Sequence, residues 1–568
     1  VRQSSDDTPT GPIGRQAQQA RPQPAQASRR PAAAAGGAAG DPTRRWNTVR
    51  NLSAVVLLIG AVLLPWNLYF GIGIPDSKTA LFGVLGAVTL LSLVSLAVRG
   101  WLRIALNVPY LLLVLGFVVF AVFETIRSGG TVQVPGGVGP GAWLGISGAL
   151  LAAQPAITGA AEDDTYGRWS GSAKLLGYAS IVVAALSFAF NLFWRVRYAL
   201  QGSSGASEFG NQNIAVIATA VVYGLVALAA VLVASGWVVR ATNASRLATI
   251  ALGASTLIAG ILVWSLPIGR DIDAFHGIAQ NTSTAGVGYE GYLAWAAAAA
   301  IFGPRTLFGY RHTPSTDERP WRTAARNGLL LIALWCVGSV LMRATDLAVA
   351  VSLNYPFSRY DTMTLAGFDL ATAVLAVWLR MNLADASVSA RLISSLSGLV
   401  VTLSIARVVV GVVLAPRFQE PPDGGGWNNP VYGNDLAQQI TSTFDVVLCG
   451  LALGILAAAI ITGHLAGRRL RRQQRRAARA RDAKPRVPTG AAAATTRIRV
   501  GPTPPPSAAA TTRIPTGAAG ATGTFRESPT TVIPPSARAP RIFRGDDSVT
   551  RQIPIAKPKI YRPPQDSP

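Results

Sequence analysis

About a dozen apolar stretches, each close to bilayer length, run from Leu52 to Gly463, and a basic tail rich in Pro, Ala and Thr follows them. Crossing ~30 Å of hydrocarbon takes about 20 largely apolar residues at ~1.5 Å rise each. Backbone amides in lipid must find their partners within the protein, which makes such stretches helices. The expected fold is therefore all-α: a polytopic transmembrane helical bundle of about 12 spans, with disordered cytoplasmic N- and C-terminal tails. The spans are 52–72, 79–98, 104–123, 141–158, 175–194, 214–236, 247–266, 288–303, 327–350, 363–381, 391–415 and 440–463. Two of them, 141–158 and 288–303, are short and rich in Gly or Ala, a pattern that also fits a re-entrant segment.

Composition agrees with this solvent. Half the residues are hydrophobic and 14% are charged, where a soluble domain carries about 25%. The net charge of +24 sits almost wholly in the tails. Residues 1–50 hold eight Arg against Asp6, Asp7 and Asp41, and residues 468–568 hold 21 basic and five acidic residues. No aromatic interleaving accompanies these charges, so no nucleic-acid partner is expected. Anionic lipid at a cytoplasmic face is the natural partner, above all for the basic segment 468–486. Only five of the 51 basic residues are Lys, a usage that points to a GC-rich bacterial genome and hence to a bacterial plasma membrane.

Four segments follow: a disordered basic tail (1–46), a transmembrane domain (47–467), the basic juxtamembrane segment (468–486) and a disordered Pro/Ala/Thr-rich tail (487–568). Residues 1–46 have no early apolar core, so the first span is expected to be a retained anchor rather than a cleaved signal. With the N-terminus inside, the inner loops collect Arg99 and Arg103, Arg240 and Arg246, the cluster from Arg305 to Arg326, and Arg380 with Arg391. This satisfies the positive-inside rule with both termini cytoplasmic. Arg195 and Arg197 depart from it. Trp66, Trp101, Trp143, Trp194, Trp237 and Trp321 lie near expected span ends, as an interfacial belt would.

Ionisable residues inside spans are costly, and they mark a site by default. The last four spans contain Arg343 and Asp346, Asp369, Arg407, and Asp445. On the expected topology all five fall in the outer half of the membrane, as a candidate polar network lining an outward-facing cavity. They could bind a charged substrate or a proton. Equally, Arg343 could pair with Asp346 or Asp369, and Arg407 with Asp445, simply to hold helices together.

Soluble-enzyme signatures are missing from the sequence: it has no phosphate-binding Gly loop, no nucleophile elbow and no metal-spaced Cys/His cluster. No catalytic residue, cofactor or metal is expected. Cys336 and Cys449 fall in apolar stretches and are expected to pack as small apolar side chains.

The C-terminal tail repeats Thr-x-x-Ile-Pro, with Ile514 and Pro515 after Thr511, Ile533 and Pro534 after Thr530, and Ile553 and Pro554 after Thr550. A near copy begins at Thr495, with Arg499 in place of Pro. These copies resemble substrate sites of the eukaryotic-type Ser/Thr kinases of actinobacteria, which favour an apolar residue three positions after Thr. The same spacing is similar to phosphothreonine docking signals read by FHA domains. The resemblance implies a Ser/Thr kinase and an FHA-domain protein as partners, with Thr550, preceded by Asp546 and Asp547, the first candidate phosphorylation site. Thr530, Thr511 and Thr495 are the others. The expected function is that of a transporter- or flippase-like protein with an outward-facing polar site. The alternatives are a non-catalytic envelope scaffold that recruits partners through its tail and, less favoured, a lipid-linked membrane enzyme.

Overall fold

The computed structural model describes residues 42–67, 78–127, 137–156, 163–202, 210–266, 289–308, 319–354, 359–385, 387–419 and 442–482. Thr495, Thr511, Thr530 and Thr550 lie outside the described residues, as do most of the two tails. The described residues form helices and no strand. In chain order they are α1 (Pro42–Leu63), α2 (Lys78–Val94), α3 (Trp101–Ala105), α4 (Val108–Arg127), α5 (Pro140–Ala153), α6 (Asp163–Gly202) and α7 (Asn211–Arg240). Then come α8 (Asn243–Ser265), α9 (Tyr289–Phe308), α10 (Arg319–Ser352), α11 (Arg359–Asn382), α12 (Ala390–Gln419) and α13 (Thr443–Asp482).

Among the described residues, nine helical segments are long and apolar enough to cross a membrane: α1, the α3–α4 segment, α6, α7, α8, α10, α11, α12 and α13. Each of the twelve expected spans coincides with a helix, but three helices fall outside this set. α2 and α5 are shorter apolar helices, and α9 carries Pro304 and Arg305 in its last turns. With 14 residues, α5 covers about 21 Å, well short of the ~30 Å of hydrocarbon.

Protein rather than lipid surrounds α5 and α9. α5 is buried along nearly its whole length. α9 packs on α5, α6, α7 and α8, and Ala294 and Ala296–Ala300 are all buried. A helix that is apolar all round belongs inside a protein, and small side chains let several neighbours approach one axis.

Proline and glycine set the local geometry. α1 ends at Leu63, ahead of the expected 72, because Pro65 has no N–H to continue the ladder. The carbonyl of Ala61, which that N–H would have satisfied, instead accepts from Trp66 Nε1 at 2.9 Å. The chain then docks α5 directly: Gly139 N donates to Trp66 O (2.6 Å) and Gly141 N to Pro65 O (2.9 Å). A Cβ on Gly141 would lie 2.5 Å from the Leu64 carbonyl oxygen, so only glycine permits this junction. Pro304 repeats the device inside α9. It leaves the carbonyl of Ala300 without its helical donor, and Gln154, the residue after α5, supplies Nε2 at 2.8 Å.

The α7–α8 turn is equally local. Ala241 adopts a left-handed conformation (φ 48°), and Thr242 caps α8 by accepting from Ser245 N at 3.2 Å. Trp66, Trp143 and Trp237 are buried in the core, not in an interfacial belt; aromatic side chains of that area pack best where they are wholly covered. Trp101, 77% exposed, and Trp321 do remain at the surface. Arg195 is also buried, while the Arg197 guanidinium stacks over Trp194 at 5.0 Å.

Candidate functional site: a buried charge ladder across the last four helices

Helices α10 to α13 pack in sequence, and α13 closes back on α10. On α10, the residues Trp335, Ser339, Arg343 and Asp346 recur at helical spacing and so share one face. That face points into the four-helix unit and meets the buried charges of its neighbours.

Asp369 on α11 is the hub. Its Oδ2 accepts from Arg343 Nε at 2.9 Å and from Ser339 Oγ at 2.7 Å. Its Oδ1 lies 2.5 Å from Arg407 Nε of α12. The N–H of that nitrogen does not point along the contact, so this link is an ion pair rather than a hydrogen bond. Arg407 continues the ladder by donating Nη2 to Asp445 Oδ1 of α13, and its Nη1 lies 3.7 Å from Cys336 Sγ. Arg407 is flanked by Ile405, Val408 and Val409, and its partners named here come from three other helices.

Asp445 does double duty. Its Oδ1 also accepts from Trp335 Nε1 at 2.5 Å. Its Oδ2 accepts from the backbone N–H of Ser442 at 2.9 Å, which caps the first turn of α13 and places a negative charge at the positive end of the helix dipole. Asp346 accepts from Tyr223 Oη of α7 at 2.8 Å. All five charged residues are between 0% and 9% exposed.

Thus four of the five residues singled out from the sequence form one chain of ion pairs, and Asp346, on the same face of α10 as Arg343, bonds Tyr223. Arg343 pairs with Asp369, and Arg407 bridges Asp369 and Asp445. Sequence reasoning missed Trp335, Ser339 and Tyr223. The spacing of Trp335 and Ser339 ahead of Arg343 was the available signal for two of them; Tyr223, on a distant helix, left none. Among the described residues, no cluster of His, Cys, Asp and Glu could hold a metal ion.

An aromatic chain runs from this site into the centre. Trp335 packs edge-on against Phe444 (centroids 4.9 Å apart), Phe444 against Trp295 (5.8 Å), Trp295 against Tyr292 (5.8 Å), and Tyr292 against Trp143 of α5 (4.9 Å). An apolar cavity of about 720 Å³ lies between α4, α5, α6 and α9, with Arg168, Trp169 and Ser172, from the start of α6, in its lining. Its size falls within the range of ligand pockets. No sequence pattern announced it, because α9, remote in the chain, closes a space between α4, α5 and α6.

Residues 47–464, from within α1 through the membrane part of α13, match the family described as "Domain of unknown function (DUF7937)". The chain belongs to the DUF7937 family. The matched region of this DUF7937 protein takes in the charge ladder, the cavity and all of the helices above except the first turn of α1 and the last turns of α13. No curated protein matches the chain. No solved structure matches it.

Proposed function

We propose that this DUF7937 protein is a transporter- or flippase-like multi-pass protein of a bacterial plasma membrane, with both termini cytoplasmic. In this reading the charge ladder takes up and releases a proton or small cation as the protein changes conformation. One observation carries the reading. The ladder buries three carboxylates (Asp346, Asp369, Asp445) with two guanidiniums (Arg343, Arg407). Ionisable groups inside a membrane domain are costly to bury, and they mark proton and ion pathways by default. The large apolar cavity with Arg168 in its lining supports an amphiphile as the transported species.

Trp335 is a built-in reporter, because its indole donates to Asp445. The test is the tryptophan emission of the purified full-length protein in lipid nanodiscs, with the emission of the Trp335→Phe variant subtracted. The difference signal should change with pH, and Asp346→Asn should alter that response. A signal flat in pH and in sodium concentration would end the coupling reading.

A second reading rests on a different observation. The Thr-x-x-Ile-Pro copies suit a scaffold whose tail is switched by phosphorylation, since each phosphate adds about −1.5 to −2 charge and three acceptor oxygens. Phosphosite mapping of the native membrane fraction should find phosphate on Thr550 first and Thr530 next. Four unmodified threonines on well-covered peptides would remove this reading. Deleting 487–568 should abolish scaffolding and leave transport intact.

A further inference from the structure

Away from the ladder, two arginines are buried without any acidic partner. Arg50 on α1 and Arg103 on α3 are 2% and 5% exposed. Both donate to the same neutral oxygen, Asn51 Oδ1, at 3.0 Å each. Their other acceptors are backbone carbonyls at the end of α5: Pro155 O for Arg50 Nη1 and Ala152 O for Arg103 Nε. Among the described residues no carboxylate pairs with either. The C-terminal end of α5 offsets about half an elementary charge, so more than one positive charge is left buried and uncompensated. Arg50 Nε is itself buried with no acceptor.

A second observation says what kind of anion fits. A cavity of about 250 Å³ begins at Arg50 and Ser53 and continues between Leu57, Leu151, Leu257 and Leu307. Ala254 and Leu307 on its rim are exposed on the outer surface of the helices. One end is cationic and the rest is apolar, which is the shape of a lipid and not of a free anion.

We propose that Arg50 and Arg103 hold the phosphate of one bound anionic phospholipid, whose acyl chain lies in the groove formed by α1, α5, α8 and α9. The phosphodiester supplies the missing charge and takes up guanidinium N–H donors. The lipid ties α1 and α3 to the end of α5, the helix that is too short to cross the bilayer. The site is independent of the charge ladder and stands whether or not the ladder couples transport.

The test is native mass spectrometry of the full-length protein in mild detergent, with phosphatidylglycerol, phosphatidylcholine or inorganic phosphate added. The basic segment 468–486 is the same in every variant, so only differences from the parent protein count. One phosphatidylglycerol should be retained per chain with a preference on the order of tenfold over phosphatidylcholine. The double variant Arg50→Gln/Arg103→Gln should lose that preference. Ala254→Phe fills the groove from its exposed rim, leaves both arginines in place and should also weaken retention, so it decides the matter if the double variant does not fold. Equal retention of the two lipids would overturn the proposal. So would retention that Ala254→Phe leaves unchanged while inorganic phosphate displaces the lipid, since that result describes a free-anion site.

Discussion

Asp369→Ala should lower the stability of the membrane domain by about 3–5 kcal/mol, the usual cost of breaking a buried ion pair from one side. Asp369 is the carboxylate between two cations: Arg343 on one oxygen and Arg407 on the other. Its removal takes from both guanidiniums the carboxylate they share, while Arg407 keeps Asp445. The measurement is the thermal unfolding midpoint of the detergent-purified protein, together with its abundance in the membrane. A variant as stable as the parent would show that Asp369 does not hold the four helices together. The triple variant Arg343→Met/Asp369→Leu/Arg407→Met should regain much of the loss, because an apolar replacement of a whole buried ionic group is often neutral or stabilising. If the triple variant folds but its Trp335 signal no longer responds to pH, stability and coupling separate. If it folds and still responds, the ladder is a structural brace and the coupling reading falls.

Gly253→Val should be comparably damaging for a different reason. Gly253 faces α9 from α8, and a Cβ there would lie 2.4 Å from Ala299 Cβ and 2.5 Å from the Trp295 carbonyl oxygen. A backbone carbonyl cannot rotate aside as a side chain can, so α8 must move off the central helix. Overpacking typically costs about 1–3 kcal/mol, more where the neighbour is rigid; the expected loss is at or above the top of that range. Gly454→Ala on α13 is the control. A Cβ there meets only Ala251 Cβ at 3.9 Å, an ordinary contact, and helix propensity favours Ala over Gly by about 1 kcal/mol. Unfolding midpoints that rank Gly253→Val equal to Gly454→Ala would refute the close α8–α9 packing.

The two variants mark different degrees of legibility. Asp369 could be picked out from the chain alone, because a charge in an apolar run has no cheap solvated state and must find a partner. Gly253 could not. Nothing in its neighbourhood distinguishes it from Gly236, where a Cβ would meet nothing within 4 Å; the difference is which helix lies opposite. The same holds for the tryptophans. Position near a span end suggested an interface for Trp66, Trp143 and Trp237, yet all three are core residues, because protein and not lipid covers those helix ends. Arg50 counted only among the N-terminal positive charges, and Arg103 looked like an ordinary inner-loop one. Only the fold shows that they turn inward onto the end of α5.

The sequence by itself determined the solvent, the helical class, the place of each helix and the set of intramembrane charges that need partners. Each of these follows from local physics: the cost of an unpaired amide or a bare charge in hydrocarbon is paid residue by residue, whatever the neighbours. The tertiary structure alone decided which carboxylate meets which arginine, why α5 can be short, and where the cavities open. Those are properties of distances between helices far apart in the chain, set by where glycine and alanine allow close approach and where proline leaves a carbonyl for a distant side chain to claim.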